Sequence, residues 1–326
     1  MIRVLLAIFL ALTPAFLWAQ SCGTTDLIDA LSPEDRARLD ALVAPHPYPR
    51  GNLWRAEKPG STVTVVGTIH IPDPRLTAIV ARVRPALDTA DLLILEASSD
   101  DEKGMQSFAA SNPDLFFLNQ GPTLIDLLAP DEWGLISDRL AEMGIPAFFA
   151  AKFQPWYLTM TLAVPPCALK AMQSGKKGLD RQLEIIAMDA GTPIATLDDV
   201  EALLRLFAEE PLERQLDGLR ITLETQIDGD ATTSTLIESY FDGRVRESWE
   251  FGRILVDSAG IENGAEMFEE LNQDLLIGRN RDWEPKIAEL VAGKNVVLAV
   301  GAAHLSGESG VLRALERAGY VLEPLE

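Results

Sequence analysis

The sequence predicts an α/β fold, with a central mixed or parallel sheet built from both chain ends and a large helical insertion between them. Three observations predict it. Short β-branched or aliphatic runs cluster at 62–66, 91–95, 193–197, 295–300 and 320–322, and such runs read as buried strands. The intervening chain carries long apolar patterns at helical spacing. Two of the strand runs lead into the same word, Gly67-Thr68-Ile69-His70 and Gly301-Ala302-Ala303-His304, which hold two of the three histidines in the chain.

Taken in order, Met1-Ile2-Arg3 followed by an uncharged stretch from Val4 to Trp18 has the positive start and apolar core of an export signal, read as residues 1–19. The stretch is short for a bilayer span and contains Pro14, so no stable transmembrane anchor is expected after cleavage. A periplasmic or secreted location follows. That compartment permits disulfides, and Cys22 and Cys167 are the two cysteines of the chain, so a bridge between them is expected. The alternative use of Cys22 is as a lipid acceptor, which the missing leucine three residues upstream of it disfavours. Residues 20–326 read as one domain.

The run at 62–66 enters the first histidine word, turns at Ile71-Pro72-Asp73 and continues as a helix over 74–87, where Leu76, Ile79, Val80, Val83 and Leu87 share a face. The run at 91–95 ends in Glu96. Helical patterns then occupy 123–143, 153–172, 178–189, 200–226, 231–241, 247–259 and 265–290, within an insertion of about 105–290. An aromatic group in this part, Phe148, Phe149, Trp156 and Tyr157, reads as core. The second word follows the run at 295–300, and Ser306-Gly307-Glu308-Ser309-Gly310 forms a turn before a helix over 311–318 that Gly319 stops. The two ends are built alike.

With a formal charge of −21 and 47% hydrophobic residues, the chain has material for a sizeable core but no clustered cations for phosphate, which excludes a nucleic-acid partner. Open α/β sheets place ligands at the carboxyl edge of their strands. If the strands before His70 and His304 are parallel neighbours, both imidazoles emerge there, with Glu96 at the end of another strand. Two imidazoles and a carboxylate suit a divalent ion, zinc, manganese, iron or cobalt, with a position left open for water or substrate. Such a site belongs to a hydrolase acting on a peptide or small molecule. If Glu96 ligates, Glu308 is available to take the proton. Arg75, at the helix start, offers a fork of donors to a substrate carboxylate. His46 lies in a proline-rich segment and is left out. Gly307-Glu308-Ser309-Gly310 lacks the full nucleophile elbow of a serine hydrolase.

The two histidine words, Glu96, and the stretch from Val300 to Leu312 resemble the TraB/GumN family, which includes PrgY and the Tiki proteases. Lys152-Phe153-Gln154-Pro155-Trp156, Gly178-Leu179-Asp180, Thr196-Leu197-Asp198-Asp199-Val200-Glu201 and Arg279-Asn280-Arg281-Asp282-Trp283 extend the resemblance over almost the whole chain behind the leader. It implies a fold related to erythromycin esterases and the haem-binding ChaN proteins. For the Tiki branch it implies peptide cleavage dependent on manganese or cobalt. By position, His70 and His304 become the metal or catalytic histidines, Glu96 their acidic partner, and Arg279 with Asn280 a supporting polar group at the substrate. Asp198 departs from the Leu-Glu of relatives and reads as a helix cap, as does Asp180. Two other readings stay open: a haem- or peptide-binding protein without turnover, and an esterase that uses a histidine base without metal.

Overall fold

A computed structural model describes residues 22–225, 229–261 and 263–325; the expected export signal lies outside them. Six strands form one mixed sheet in the order β4-β3-β5-β2-β1-β6. They are β1 (Leu53–Lys58), β2 (Ser61–Thr68), β3 (Leu92–Leu95), β4 (Ile194–Thr196), β5 (Asn295–Gly301) and β6 (Val321–Pro324). β4, β3, β5 and β2 run parallel, while β1 pairs antiparallel with β2 and with β6. The expected parallel pairing of the strands before the two histidine words is met: β2 and β5 are direct neighbours, with Gly67 opposite Val300 and Thr68 opposite Gly301. β1 is absent from the expected strands because Leu-Trp-Arg-Ala-Glu-Lys holds three charges; tight antiparallel pairing with β2 through Gly60 (φ +80°) decides its state.

Alternation along the strands divides the core. Val66, Leu93, Leu95, Val297 and Ala299 face one side, under the helices Leu76–Leu87 and Leu179–Ala190. Val65, Ile94, Val296, Leu298 and Val300 face the other, under Arg279–Leu290 and Val311–Arg317. The parallel strands are thus apolar on both faces, as a sheet covered on both sides requires.

Between β3 and β5 the chain is mostly helical, with its own cluster of Leu124, Ile136, Leu140, Leu158, Leu162, Leu216 and Leu219. Here the structure cuts the long expected helices into shorter ones. Pro130 and Pro166 start new helices, Pro211 separates Val200–Ala208 from Leu212–Thr225, and a π-helical segment, Gln273–Gly278, divides Gly264–Asn272 from Arg279–Leu290. The aromatic group expected in the core is split. Trp156 is buried, but Phe148 and Phe149 are 71% and 61% exposed, because the four-residue helix Ala147–Ala150 has too few turns to bury both rings.

Cys22 and Cys167 form the expected disulfide, joining the start of the described chain to the helix Pro166–Gln173 across 145 residues of sequence. Among the described residues no helix is long and apolar enough to cross a membrane.

Candidate functional site

The carboxyl ends of β3, β4, β2 and β5 deliver Glu96, Asp198, His70 and His304 to one edge of the sheet. Close backbone approach makes the meeting possible. A Cβ on Gly67 would lie 2.9 Å from both Ala302 Cβ and Leu305 Cδ1, so the glycine of the first word is the surface on which the second word packs. A Cβ on Gly301 would lie 3.0 Å from Glu96 Oε1, in the space where the Gly301 amide donates to that oxygen at 2.5 Å.

At the centre is Arg279, the first residue of its helix. Its Nη2 donates to Glu96 Oε2 at 2.5 Å and to Asp198 Oδ2 at 2.6 Å, and its Nε to Asp198 Oδ1 at 3.2 Å. Its Nη1 donates to His304 Nε2 at 3.0 Å and to the Leu275 carbonyl at 3.2 Å. A guanidinium has five N–H donors, and all five are used. The Leu275 carbonyl is offered by the π-helical segment, whose wide turn brings Gln273 O within 2.9 Å of where a Cβ on Gly278 would stand. Inserted turns of this kind occur often at functional sites.

His304 is enclosed. Its ring lies 4.4 Å, centroid to centroid, from Trp283, and the Asn280 amide brackets it: Asn280 Nδ2 donates to the His304 carbonyl at 3.3 Å, which turns Asn280 Oδ1 towards His304 Nδ1 at 2.8 Å. The proton therefore sits on Nδ1, and Nε2 keeps its lone pair for Arg279. Burial pushes the imidazole down to about 4 against the attraction of Glu96, so His304 is neutral at pH 7. For Glu96, burial opposes ionisation, but charge interaction with His304 and Arg279 and the Gly301 amide outweigh it and hold the carboxyl down to about 2. Asp198 moves the other way. Burial, together with repulsion from Glu96, raises it despite the attraction of Arg279, and Trp283 Nε1 donates to its Oδ1 at 2.8 Å.

His70 has a different setting. Its side chain is 70% exposed, with Nδ1 3.1 Å from Asp180 Oδ1. Asp180 enters from the first turn of Leu179–Ala190, a helix locked onto the first word because a Cβ on Gly178 would stand 2.5 Å from the His70 carbonyl oxygen and because Leu179 N donates to Ile69 O at 2.9 Å. Asp180 Oδ1 is buried and makes no hydrogen bond of good geometry among the described residues, so the imidazole is the group it faces. Asp180 raises the His70 pKa against desolvation, with a smaller contribution from Glu96. His70 also acts on the protonation of Glu96 and His304; the two words share one electrostatic site.

Of the residues anticipated from sequence, His70, Glu96, Arg279, Asn280 and His304 come together. Arg75 and Glu308 do not join them. Arg75 lies over the Phe241 ring and donates to Asp73 and Glu238, and Glu308 is exposed and pairs with Arg313. His46 contacts Arg246 and Glu250. Asp198 and Asp180, anticipated as caps, both face site residues instead. What signals them is position: Asp198 follows β4 as Glu96 follows β3, and Asp180 opens a helix behind a glycine.

As arranged, the donor set does not fit a divalent ion. Both Glu96 oxygens and His304 Nε2 are engaged by Arg279 and Gly301, and a guanidinium stands where the ion would draw on them. Among the described residues no three His, Cys, Asp or Glu side chains converge as a metal cage.

Compared with known proteins, the chain is 22% identical over 295 residues to an uncharacterized protein of Treponema pallidum (strain Nichols), an alignment covering 89% of this chain and 81% of that relative. The TraB/PrgY/gumN family model matches residues 52–324, a span that holds all six strands and every residue of the cluster at the sheet edge. With that match the chain belongs to the TraB/PrgY/gumN family.

Proposed function

We propose that the protein is an exported hydrolase of acyl bonds, in peptides or small esters, in which His70 is the general base. One observation carries this: an exposed imidazole at the carboxyl edge of the sheet, with the buried Oδ1 of Asp180 3.1 Å from its Nδ1. With a hydrogen bond from Nδ1–H to Asp180 formed in the working site, Nε2 keeps its lone pair, and Asp180 stabilises the imidazolium that forms when Nε2 takes a proton from the attacking water and then gives it to the leaving group as the acyl bond breaks. Contacts between hydrogen-bonded catalytic groups are often loose without substrate, in keeping with the off-line geometry at Asp180. Arg279 has no donor left for a substrate oxygen. Its part is to hold Glu96, Asp198 and His304 in register. The disulfide supports export.

The test is hydrolysis of a peptide library and of p-nitrophenyl esters by the purified chain, with and without chelator, and again with added manganese, cobalt or zinc. Chelator-resistant turnover that vanishes in His70→Ala and falls steeply in Asp180→Asn is expected. Turnover that appears only with added ion would replace the histidine base by the divalent-metal peptidase that the Tiki resemblance implies, and would require Arg279 to withdraw from Glu96 and His304.

A further inference from the structure

Away from the sheet edge, an apolar groove opens between the helices Pro155–Leu162, Val200–Ala208, Leu212–Thr225 and Gly264–Asn272, enclosing about 260 Å³. Trp156 and Phe207 stack on its floor at an interplanar angle of 14°, and Met160, Met267, Phe268 and Leu271 line its walls. Met160 is 50% and Leu271 39% exposed, a cost in water that a partner would relieve. Gly218, inside the helix Leu212–Thr225, also lines the groove, and a Cβ added there would meet nothing within 4 Å. The space is below the usual range of a small-molecule pocket, roughly 300–1,000 Å³. It suits a few side chains of a longer ligand.

The rim specifies the charge of that ligand. Glu210, Glu270 and Asp274 line the groove with Arg214, and an adjoining cavity shares these four residues and adds Glu266 and Glu269, five carboxylates in all. Arg214 pairs with Glu270, and Glu269 with Arg253. Among the described residues no cation pairs with Glu210, Glu266 or Asp274, all of them exposed. Burial and repulsion from Glu270 raise the Asp274 pKa. A groove walled by methionine and aromatic side chains adapts to varied apolar faces, and an acidic rim selects among them by complementary charge.

We propose that this groove binds a cationic amphipathic peptide segment, apolar side chains inserted between the helices and lysine or arginine seated on Glu210, Glu266 and Asp274. The binding is independent of any turnover at His70. The experiment is fluorescence anisotropy of a labelled leucine-lysine amphipathic helix titrated with the full chain, and with the His70→Ala protein so that cleavage plays no part in the signal. Saturable binding is expected in both, weakened at least about tenfold by Gly218→Leu, which plugs the groove, and several-fold by Glu266→Gln combined with Asp274→Asn. Added salt should weaken it further. A thermal melt of Gly218→Leu at or above that of the parent would show that the plug leaves the fold intact, since leucine favours a helix over glycine. Equal affinity for a leucine-glutamate helix would overturn the proposal. So would an affinity untouched by the plug, or capture of phosphatidylglycerol vesicles in place of the peptide.

Discussion

The two histidine words share four-residue length, a strand before them and the same edge of one sheet, yet they place chemically opposite imidazoles. His304 is closed in by Trp283, Asn280 and Arg279, with burial holding its pKa down to about 4. His70 is largely exposed, and Asp180 raises its pKa. The difference teaches that the motif supplies a backbone path to the sheet edge and little else. The helix that packs over each word determines whether its ring is a proton carrier or a hydrogen-bonded support.

The largest effect that tests this contrast is on catalysis. His70→Ala should lower hydrolysis by roughly 10²–10⁴-fold, the usual contribution of a general base, with the thermal midpoint close to that of the parent protein. Equal losses of activity and of stability would erase the distinction between the rings. Next is Arg279→Met. Removing a buried cation leaves Glu96 and Asp198 facing each other unpaired, a loss of about 3–5 kcal/mol to be read from urea unfolding. A variant as stable as the parent would show that Arg279 is not the centre of the cluster. Reduction of the Cys22–Cys167 bridge should cost about 2–5 kcal/mol, because it frees a long loop in the unfolded chain; unfolding with and without reductant measures it. His304→Ala comes lower, at about 1–3 kcal/mol, as Arg279 Nη1 and Asn280 Oδ1 lose a buried partner.

The pH dependence sharpens the same comparison. NMR titration should find His70 protonating above the ordinary 6.5 and falling back when Asp180 becomes Asn, while His304 stays neutral down to the neighbourhood of pH 4. The signs of the stability effects are opposite. The raised pKa of His70 contributes stability that is full below its unfolded value and is lost as pH rises through its folded value. The lowered pKa of His304 contributes stability present above 6.5 and lost as pH falls towards about 4, and that of Glu96 contributes stability present above 4.5 and lost towards about 2. Acid unfolding should therefore begin below neutrality and steepen as Glu96 protonates. A melting temperature flat between pH 7 and pH 3 would contradict both assignments.

Much of the sheet was legible because β2, β3 and β5 are short aliphatic runs, buried on both faces, and because Gly67 within β2 and Gly301 at the end of β5 mark close approaches. Glu96 was legible as the polar residue that ends such a run. β1 was not, since its charged residues fit a surface segment equally well until pairing with β2 and β6 orders it. Asp180 and Asp198 stand beside helix starts and so invited a local reading as caps, which concealed their partners at the site; the residues at the cap positions are Gly178 and Asp199. Nor does periodicity reveal the π-helical turn that sets Arg279 at the cluster, for it depends on where a single extra residue is absorbed.

By itself, then, the sequence determined the secondary elements that alternate around a buried sheet and the chemical types available at its carboxyl edge: two imidazoles, carboxylates and a guanidinium. Local patterns encode these because burial and spacing act over a few residues. Only the tertiary structure decided which carboxylate meets which imidazole, which ring is enclosed, and that a guanidinium takes the central place. Those outcomes depend on desolvation and charge between segments more than two hundred residues apart, and proton affinity is set by the sum of such surroundings.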